Sequence, residues 1–273
     1  MEKTNELCEF LGWHCGDGCI SVNDRYSEYT LTGDIREEKE FYENIIFPVF
    51  YKLFRKKLKK EPKIKFYESV GVCGLYIFNK EFVKFLTEEF NIEAGKKIGK
   101  VLPIDIFKTE EQKKCFLRGF FDTDGSIYFC KSNFKTKMPS LFTKFHYKPK
   151  IGVATISKKL IEGVKEILIE LGYSPRVKNL KSRKNNELPV YGIILDRKRD
   201  TRKFIEEIGF KSTKHLTKIA VWKKYGFCPA FTTLDERVMI LNESLDPFEK
   251  YGTISAETKE EISSHLKSHQ TYQ

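Results

Sequence analysis

The chain of 273 residues lacks several features that would place it in common protein classes. It has no apolar run of the roughly 18 residues that a bilayer span requires. Residues 1–6, MEKTNE, lack the charged-then-apolar layout of a signal peptide. Its seven cysteines form no C-x-x-C pair, which argues against a zinc site and against a disulfide framework. We therefore expect an intracellular protein, cytoplasmic or organellar, with reduced thiols and no membrane partner.

The chain also lacks low-complexity segments and Gly/Ser linkers, and its acidic residues are in the minority. Lysine and arginine number 49 against 38 aspartates and glutamates, which gives a net charge of +11. A basic excess of this size favours a polyanionic partner such as nucleic acid, although it carries no information about the fold. A solvated lysine-rich surface is the alternative explanation for any single basic stretch.

A short phrase occurs twice. Residues 10–18 read FLGWHCGDG and residues 117–125 read LRGFFDTDG. Each has small residues four positions apart (Gly12 and Gly16, Gly119 and Thr123) and closes on Asp-Gly. Small residues one helical turn apart let two helix backbones approach closely. The duplication therefore predicts two matching halves whose motif helices pack together at the interface.

The aspartate that closes each phrase is the strongest candidate for chemistry. Asp17 and Asp124 stand in the last turn of a predicted helix, where the negative end of the helix dipole disfavours a carboxylate. Two such groups side by side repel each other, and a divalent cation would relieve both problems. Solvated end-cap carboxylates would explain one copy equally well, but two copies in corresponding positions favour a metal site.

The two phrases resemble the paired motifs of LAGLIDADG homing endonucleases in their single-chain, two-motif form. The second copy is a close match, whereas the first is looser: Cys15 replaces the earlier acidic residue and His14 takes a normally apolar position. The earlier acid is present only as Asp122, for which we expect either a structural role or a supporting role beside the metal ligands. The resemblance implies Mg²⁺ or Mn²⁺ as cofactor, and the predicted metal-binding positions are Asp17, Asp124, Gly16 and Thr123.

The resemblance also implies an active-site lysine in each half, which polarises water or steadies the charge of the transition state. A lysine-bearing turn follows a strand and a short helix in both halves. An ungapped comparison aligns Lys96 with Lys214, but Lys97 fits the usual Gly-Lys-Lys phrase of the family, so the choice in the first half stays open. The predicted catalytic residues are Asp17, Asp124, Lys97 and Lys214.

Basic residues alternate with aromatic residues in the strand-like segments that follow the second motif. This alternation suits twisted strands that place one face on a core and the other on a phosphate backbone. The predicted DNA contacts are Lys131, Lys135, Lys148, Lys150, Arg176, Lys178, Lys181, Arg183, Arg197 and Arg199.

Hydrophobic periodicity and turn signals give the element order αββαββα twice. The predicted class is therefore α+β (mixed α/β), with two pseudo-symmetric αββαββα repeats and antiparallel DNA-binding sheets. We expect repeats at residues 1–104 and 105–227, followed by a helical extension at 228–273. A capping box at residues 233–236 opens the extension, which we interpret as a docking helix pair without an assigned function.

The function implied is that of a monomeric, site-specific DNA endonuclease that makes a metal-dependent double-strand break at a long asymmetric site. The family implies a role in intron homing. Because the first motif begins a few residues after Met1 and no terminal His-Asn is present, we expect a free-standing intron-encoded protein rather than an intein insert. The alternatives are a group I intron maturase that binds RNA and a DNA-binding regulator that does not cut.

Overall fold

A computed structural model describes residues 2–95, 106–131, 142–180 and 188–271. The helices are α1 (Asn5–Asp17), α2 (Ile35–Phe41), α3 (Phe47–Phe54), α4 (Lys80–Phe90), α5 (Glu110–Thr123), α6 (Lys158–Glu170), α7 (Lys198–Lys203), α8 (Thr213–Tyr225), α9 (Leu234–Leu241) and α10 (Ala256–Thr271). The strands are β1 (Gly18–Val22), β2 (Ser27–Asp34), β3 (Ile64–Tyr67), β4 (Val72–Phe78), β5 (Gly125–Cys130), β6 (Lys148–Thr155), β7 (Arg176–Leu180) and β8 (Val190–Leu195).

The strands form two antiparallel four-stranded sheets with the same internal order. The first sheet runs β1-β2-β4-β3 and the second runs β5-β6-β8-β7. In each case a motif helix leads directly into the first strand, so α1 precedes β1 and α5 precedes β5. The predicted mixed class and the predicted duplication are both confirmed.

Local capping explains why several helices begin where they do. The hydroxyl of Thr109 accepts a hydrogen bond from the Gln112 amide at 3.2 Å and thereby caps α5. Ser157 caps α6 through the Leu160 amide in the same way. Both caps satisfy a backbone donor that lacks an intrahelical partner.

The helical stretch between residues 35 and 54 is interrupted in its middle. A π-helical segment, Tyr42–Ile46, separates α2 from α3, and Pro48 stands in the first turn of α3. Proline lacks the N–H that an α-helical hydrogen bond requires, and π segments accommodate such local irregularities. This segment begins at Tyr42, a residue that contacts the candidate site described below.

The chain divides into two compact units, residues 1–126 with 152–212 and residues 127–151 with 213–273. The first unit contains both motif helices and an aromatic core that includes Phe10, Trp13 and Tyr29. The core of the second unit consists of Phe142, Phe145, Tyr147, Phe227, Phe248, Ile262 and Leu266.

The boundaries of the two compact units follow contacts in the folded chain and do not coincide with the boundaries of the predicted sequence repeats. Phe248 and Leu266 of the C-terminal extension share one core with Phe145, which lies inside the second predicted repeat. The extension therefore shares a core with part of the second predicted repeat, and the docking helix pair remains a prediction. The repeat boundaries at 1–104, 105–227 and 228–273 remain a prediction.

The cysteines are structural in character. All seven are free, and five of them are buried. Burial raises the pKa of the Cys8 and Cys73 thiols to about 12, so these thiols stay protonated near neutral pH. Within the described ranges, no helix combines the length and the apolarity that crossing a membrane would demand.

Candidate active site at the ends of the motif helices

Helices α1 and α5 touch through their backbones, and glycine makes the contact possible. A methyl group on Gly12 would lie 2.3 Å from the carbonyl oxygen of Phe116, and one on Gly119 would lie 2.2 Å from the carbonyl oxygen of Glu9. Gly12 faces Phe116, which lies three positions before Gly119, and Gly119 faces Glu9, which lies three positions before Gly12. The two contacts are therefore related by a local pseudo-twofold axis. The predicted packing of the motif helices is confirmed.

The C-terminal ends of the two helices also lie side by side. A methyl group on Gly16 would lie 2.0 Å from the hydroxyl oxygen of Thr123 and 3.2 Å from the backbone nitrogen of Asp124. The Thr123 hydroxyl donates to the Gly119 carbonyl at 3.0 Å, which fixes its rotamer within the helix. Asp17 ends α1 and Asp124 follows α5 directly, and both are half-buried. These two predicted residues therefore flank the junction of the helix ends.

A buried tyrosine stands behind the first of these carboxylates. The Tyr42 hydroxyl donates to Oδ2 of Asp17 at 3.5 Å. Burial, together with the negative charges of Asp17 and Glu38, raises the pKa of Tyr42 well above its usual value. The phenol therefore stays protonated and acts as a donor to the aspartate. Tyr42 was missed from the sequence because it lies far from the motif along the chain, at the start of the π-helical segment.

Asp122 performs a structural task next to the site. It is fully buried and accepts hydrogen bonds from the backbone amides of Lys211, at 3.0 and 3.1 Å, and Ser212, at 2.9 Å. These bonds fix the turn that precedes α8. The equivalent position of the first motif is occupied by the buried Cys15. The carboxylate is thus needed in the half that presents these amides.

A buried ion network also joins the two motif helices. Glu9 of α1 is 2% exposed and accepts from Nε of Arg118 at 3.1 Å and from Nζ of Lys211 at 2.6 Å. Arg118 donates in addition to the Ile208 carbonyl at 3.1 Å. A charge buried at a helix interface is retained when its partners satisfy it, as they do here. Sequence reasoning missed this network, since Glu9 precedes the repeated phrase.

The donor set at the junction consists of hard oxygen atoms. It comprises the carboxylates of Asp17 and Asp124, together with the backbone carbonyls of Gly16 and Thr123 in the last helical turns. Among the residues that the structure describes, no group of three or more His, Cys, Asp or Glu is placed to hold a metal. Mg²⁺ is often bound through only one or two carboxylates, so this set fits Mg²⁺ or Mn²⁺ and does not suit a structural zinc.

The structure describes one of the two predicted catalytic lysines. Lys97 and the alternative Lys96 lie outside the described residues. Lys214 is half-buried in the first turn of α8, within the second compact unit. Its assignment to catalysis remains a prediction.

Two predicted DNA contacts lie on the open face of the second sheet. In the β7–β8 pair, Arg176 is opposite Ile194 and Lys178 is opposite Gly192. Ile193, which alternates with these positions, is fully buried, so Arg176 and Lys178 face away from the core. Both are exposed, and Arg176 is ion-paired with Asp196.

Two further predicted contacts, Arg197 and Arg199, flank the start of α7 instead of lying in a strand. Arg197 is its N-cap residue and Arg199 is exposed in its first turn. Arg199 pairs with Asp200 at 3.2 Å and donates to the Gly172 carbonyl at 3.3 Å. The candidates Lys135, Lys181 and Arg183 lie outside the described residues.

The remaining predicted contacts gather in the second compact unit. Lys131, Lys148 and Lys150 line one open cavity of about 750 Å³, together with Lys218 of α8. Lys131 is exposed, whereas the other two are half-buried. Three predicted contacts, two from β6 and one directly after β5, thus share one basic surface.

The first unit contains a comparable basic surface that sequence reasoning missed. An open cavity of about 790 Å³ is lined by Tyr76 and Phe78 and by Lys59, Lys60, Lys63, Lys65, Lys80 and Lys84. The Lys65 ammonium lies 5.4 Å from the ring centre of Tyr76 and 5.6 Å from that of Phe78. The lysine-rich run between residues 56 and 65 was the available signal.

Comparisons with known proteins agree with this geometry. Residues 111–209 match the family of the LAGLIDADG-like domain. A curated relative, the replication factor C small subunit of Methanocaldococcus jannaschii, is 28% identical over 222 residues, or 80% of this chain. The chain spans about a tenth of the length of that relative.

Solved structures of the homing endonuclease I-DmoI share the fold. Its complex with DNA and Mn has a TM-score of 0.53 and 16% identity, covering 76% of this chain and 98% of the other. Its complex with DNA and Ca has a TM-score of 0.51 and 15% identity, covering 76% and 88%. The chain therefore carries a LAGLIDADG-like domain and has the fold of the single-chain LAGLIDADG homing endonucleases.

Proposed function

We propose that this protein binds double-stranded DNA and cuts both strands, with Mg²⁺ or Mn²⁺ held by Asp17 and Asp124. The observation that supports the proposal is that Asp17 and Asp124 stand at the adjoining ends of two helices in backbone contact. When bound there, a divalent ion supplies water activation and neutralises the charge that develops on a phosphodiester. Each half of the protein would serve one strand.

The protein's own side chains have separate tasks in this proposal. Asp17 and Asp124 provide the negative charge that attracts the ion to the junction. Tyr42 keeps Asp17 in one orientation through its hydroxyl. Lys214, with Lys97 or Lys96 in the first half, would add positive charge where the transition state becomes more anionic.

Charge and the structural neighbours support duplex DNA as the partner. The chain carries a net charge of +11, and a basic aromatic surface lies in each compact unit. Lysines on such surfaces contact phosphates and position the protein, while strand residues that reach base edges provide specificity. I-DmoI, which shares the fold, has been crystallised with DNA and Mn or Ca. We propose a monomer that acts on a long asymmetric site, in the setting of intron homing.

The proposal is tested by cleavage. A randomised duplex library first yields the preferred site, and a supercoiled plasmid with that site is then incubated with Mg²⁺ or with EDTA. We expect Asp17→Asn and Asp124→Asn each to slow double-strand cleavage by about 1000-fold, equivalent to about 4 kcal/mol of transition-state stabilisation. Asp24→Asn, which changes an exposed aspartate in the same unit, is the matched control and should leave the rate unchanged.

Cleavage that persists in EDTA, or that survives both substitutions, would contradict the proposal. Tight DNA binding without cleavage in Mg²⁺ would identify a regulator instead. Tighter binding to a group I intron RNA than to the selected duplex would identify a maturase.

A further inference from the structure

Phe231, in the segment between α8 and α9, is presented to solvent in an unusual way. Its side chain is 101% exposed and its backbone φ is +60°. Burying a phenylalanine side chain stabilises a protein, and a left-handed backbone is costly for a residue with a Cβ. The isolated protein lacks the stabilisation and bears the cost, and a contact with another molecule would account for both features.

The loop that carries Phe231 is held firmly. Arg237 is fully buried, donates to the Thr232 carbonyl, and donates to the Thr217 hydroxyl at 2.9 Å. The Thr232 hydroxyl donates to the Pro229 carbonyl at 3.2 Å. Thr233 then caps α9 through a capping box. Because these bonds fix the backbone on both sides, the exposed ring is displayed on a rigid support.

The ring stands at a basic cavity. Phe231 lines the 750 Å³ cavity of the second unit with Lys131, Lys148, Lys150 and Lys218, and no acidic residue is found among its described lining residues. Burial and the positive charge of Lys131 lower the pKa of His146 in the same cavity. The cavity therefore attracts anions, and an aromatic ring is available at its rim.

An aromatic ring beside several lysines matches the chemistry of DNA. Lysines neutralise phosphates, and apolar wedges such as phenylalanine enter between the base pairs of a duplex. Sites for single strands stack successive bases on several aromatic rings, whereas this cavity has one fully exposed ring and the partly exposed Tyr128. The single ring favours insertion at one step of a duplex.

We propose that Phe231 is a wedge that enters the base stack of duplex DNA while the four lysines contact the neighbouring phosphates. The proposal rests on the DNA binding proposed above and extends it, because it assigns a DNA-contacting role to the C-terminal extension. The motif helices and the strand faces do not supply this contact.

The first test places a fluorescent reporter at the wedge. In Phe231→Trp, the emission of the introduced indole should be quenched when a mixed-sequence 40-base-pair duplex is added to saturation, because indole stacks on the bases. Wild-type protein, which contains Trp13 and Trp222, provides the background to subtract. Val238→Trp, at a half-exposed position on α9, is the matched control and should show no quenching.

The second test measures affinity for the same duplex, labelled with fluorescein, by anisotropy at several salt concentrations. We expect Phe231→Ala to weaken binding by about tenfold with an unchanged salt slope, as loss of one base–aromatic contact implies. The double variant Lys148→Ala/Lys150→Ala should reduce the salt slope by about two, because each phosphate contact contributes about 0.9. Val238→Ala should bind as the wild type does.

Unquenched indole emission in the Phe231→Trp variant, or wild-type affinity in Phe231→Ala, would overturn the wedge. Phe231-dependent binding that is tighter for a single-stranded RNA of equal length than for the duplex would also overturn it. Wild-type protein that fails to bind duplex DNA defeats both proposals. Phe231-dependent binding by a protein that does not cut defeats the nuclease proposal alone.

Discussion

Helix α1 contacts α5 through Gly12 and Gly119 in equivalent ways, yet the two motif copies differ at the position of Cys15 and Asp122. A methyl group added at Gly12 or at Gly119 would lie 2.3 Å or 2.2 Å, respectively, from a backbone carbonyl oxygen of the other helix. Asp122 accepts hydrogen bonds from the amides of Lys211 and Ser212, whereas the first copy has Cys15 at this position. The two helices therefore pair symmetrically, whereas Asp122 is held by contacts within its own half.

The largest expected effect is loss of the helix contact. Gly12→Ala and Gly119→Ala should each lower the free energy of unfolding by about 3 kcal/mol, because a methyl group cannot fit against a carbonyl oxygen of the other helix. In an isolated helix the same change would stabilise by about 1 kcal/mol, so the sign alone distinguishes the two situations. Urea denaturation followed by circular dichroism measures both variants.

Gly71→Ala is the control for this experiment. Gly71 has a φ of +69° and no atom within 4 Å of an added methyl group. It should therefore cost only about 1 kcal/mol, the price of the left-handed backbone. A difference larger than about 1.5 kcal/mol between Gly12→Ala and Gly119→Ala would break the inferred symmetry, since that gap exceeds the usual context dependence of one contact.

The second prediction concerns the position at which the two motif copies differ, Asp122 in one and Cys15 in the other. Asp122→Ala should destabilise by about 3 kcal/mol, because the amides of Lys211 and Ser212 lose a buried acceptor. Cys15→Ala should cost about 1 kcal/mol, since it removes one buried sulfur and no hydrogen-bond acceptor for such amides. If the two variants lose the same free energy of unfolding in urea denaturation, the hydrogen bonds that Asp122 accepts do not stabilise the protein as predicted.

The smallest effect concerns the support of one carboxylate. Under the proposed function, Tyr42→Phe should slow cutting of one strand by about fivefold and leave the other unchanged, because a hydrogen bond to Asp17 contributes about 1 kcal/mol. Strand-specific nicking on a duplex with differently labelled strands measures the two rates. Tyr29→Phe is the control, because its buried hydroxyl has no hydrogen-bond partner among the described residues. An equal slowing of both strands would contradict a role confined to Asp17.

The two basic surfaces differ in how clearly a pattern along the chain marks their lysines. Lys148 and Lys150 were found because they alternate with aromatic residues in a strand just after a motif. Lys65 was missed, although its ammonium lies over Tyr76, because the surrounding lysines are shared among a strand, a turn and the start of α4. Alternation of basic and aromatic residues identifies positions within one strand, whereas a basic surface is formed by residues from several elements.

The duplicated motifs, the capping box at residues 233–236, the order of the elements and the candidate pair Asp17 and Asp124 can be inferred from the amino-acid sequence alone. These features follow from local rules, since small residues, caps and periodicity act within a few positions along the chain. The contact of Tyr42 with Asp17, the ion pairs of Glu9 with Arg118 and Lys211, and the position of Phe231 at a basic cavity became evident from the folded chain. Such contacts depend on the packing of residues that are distant in sequence, and no local pattern encodes them.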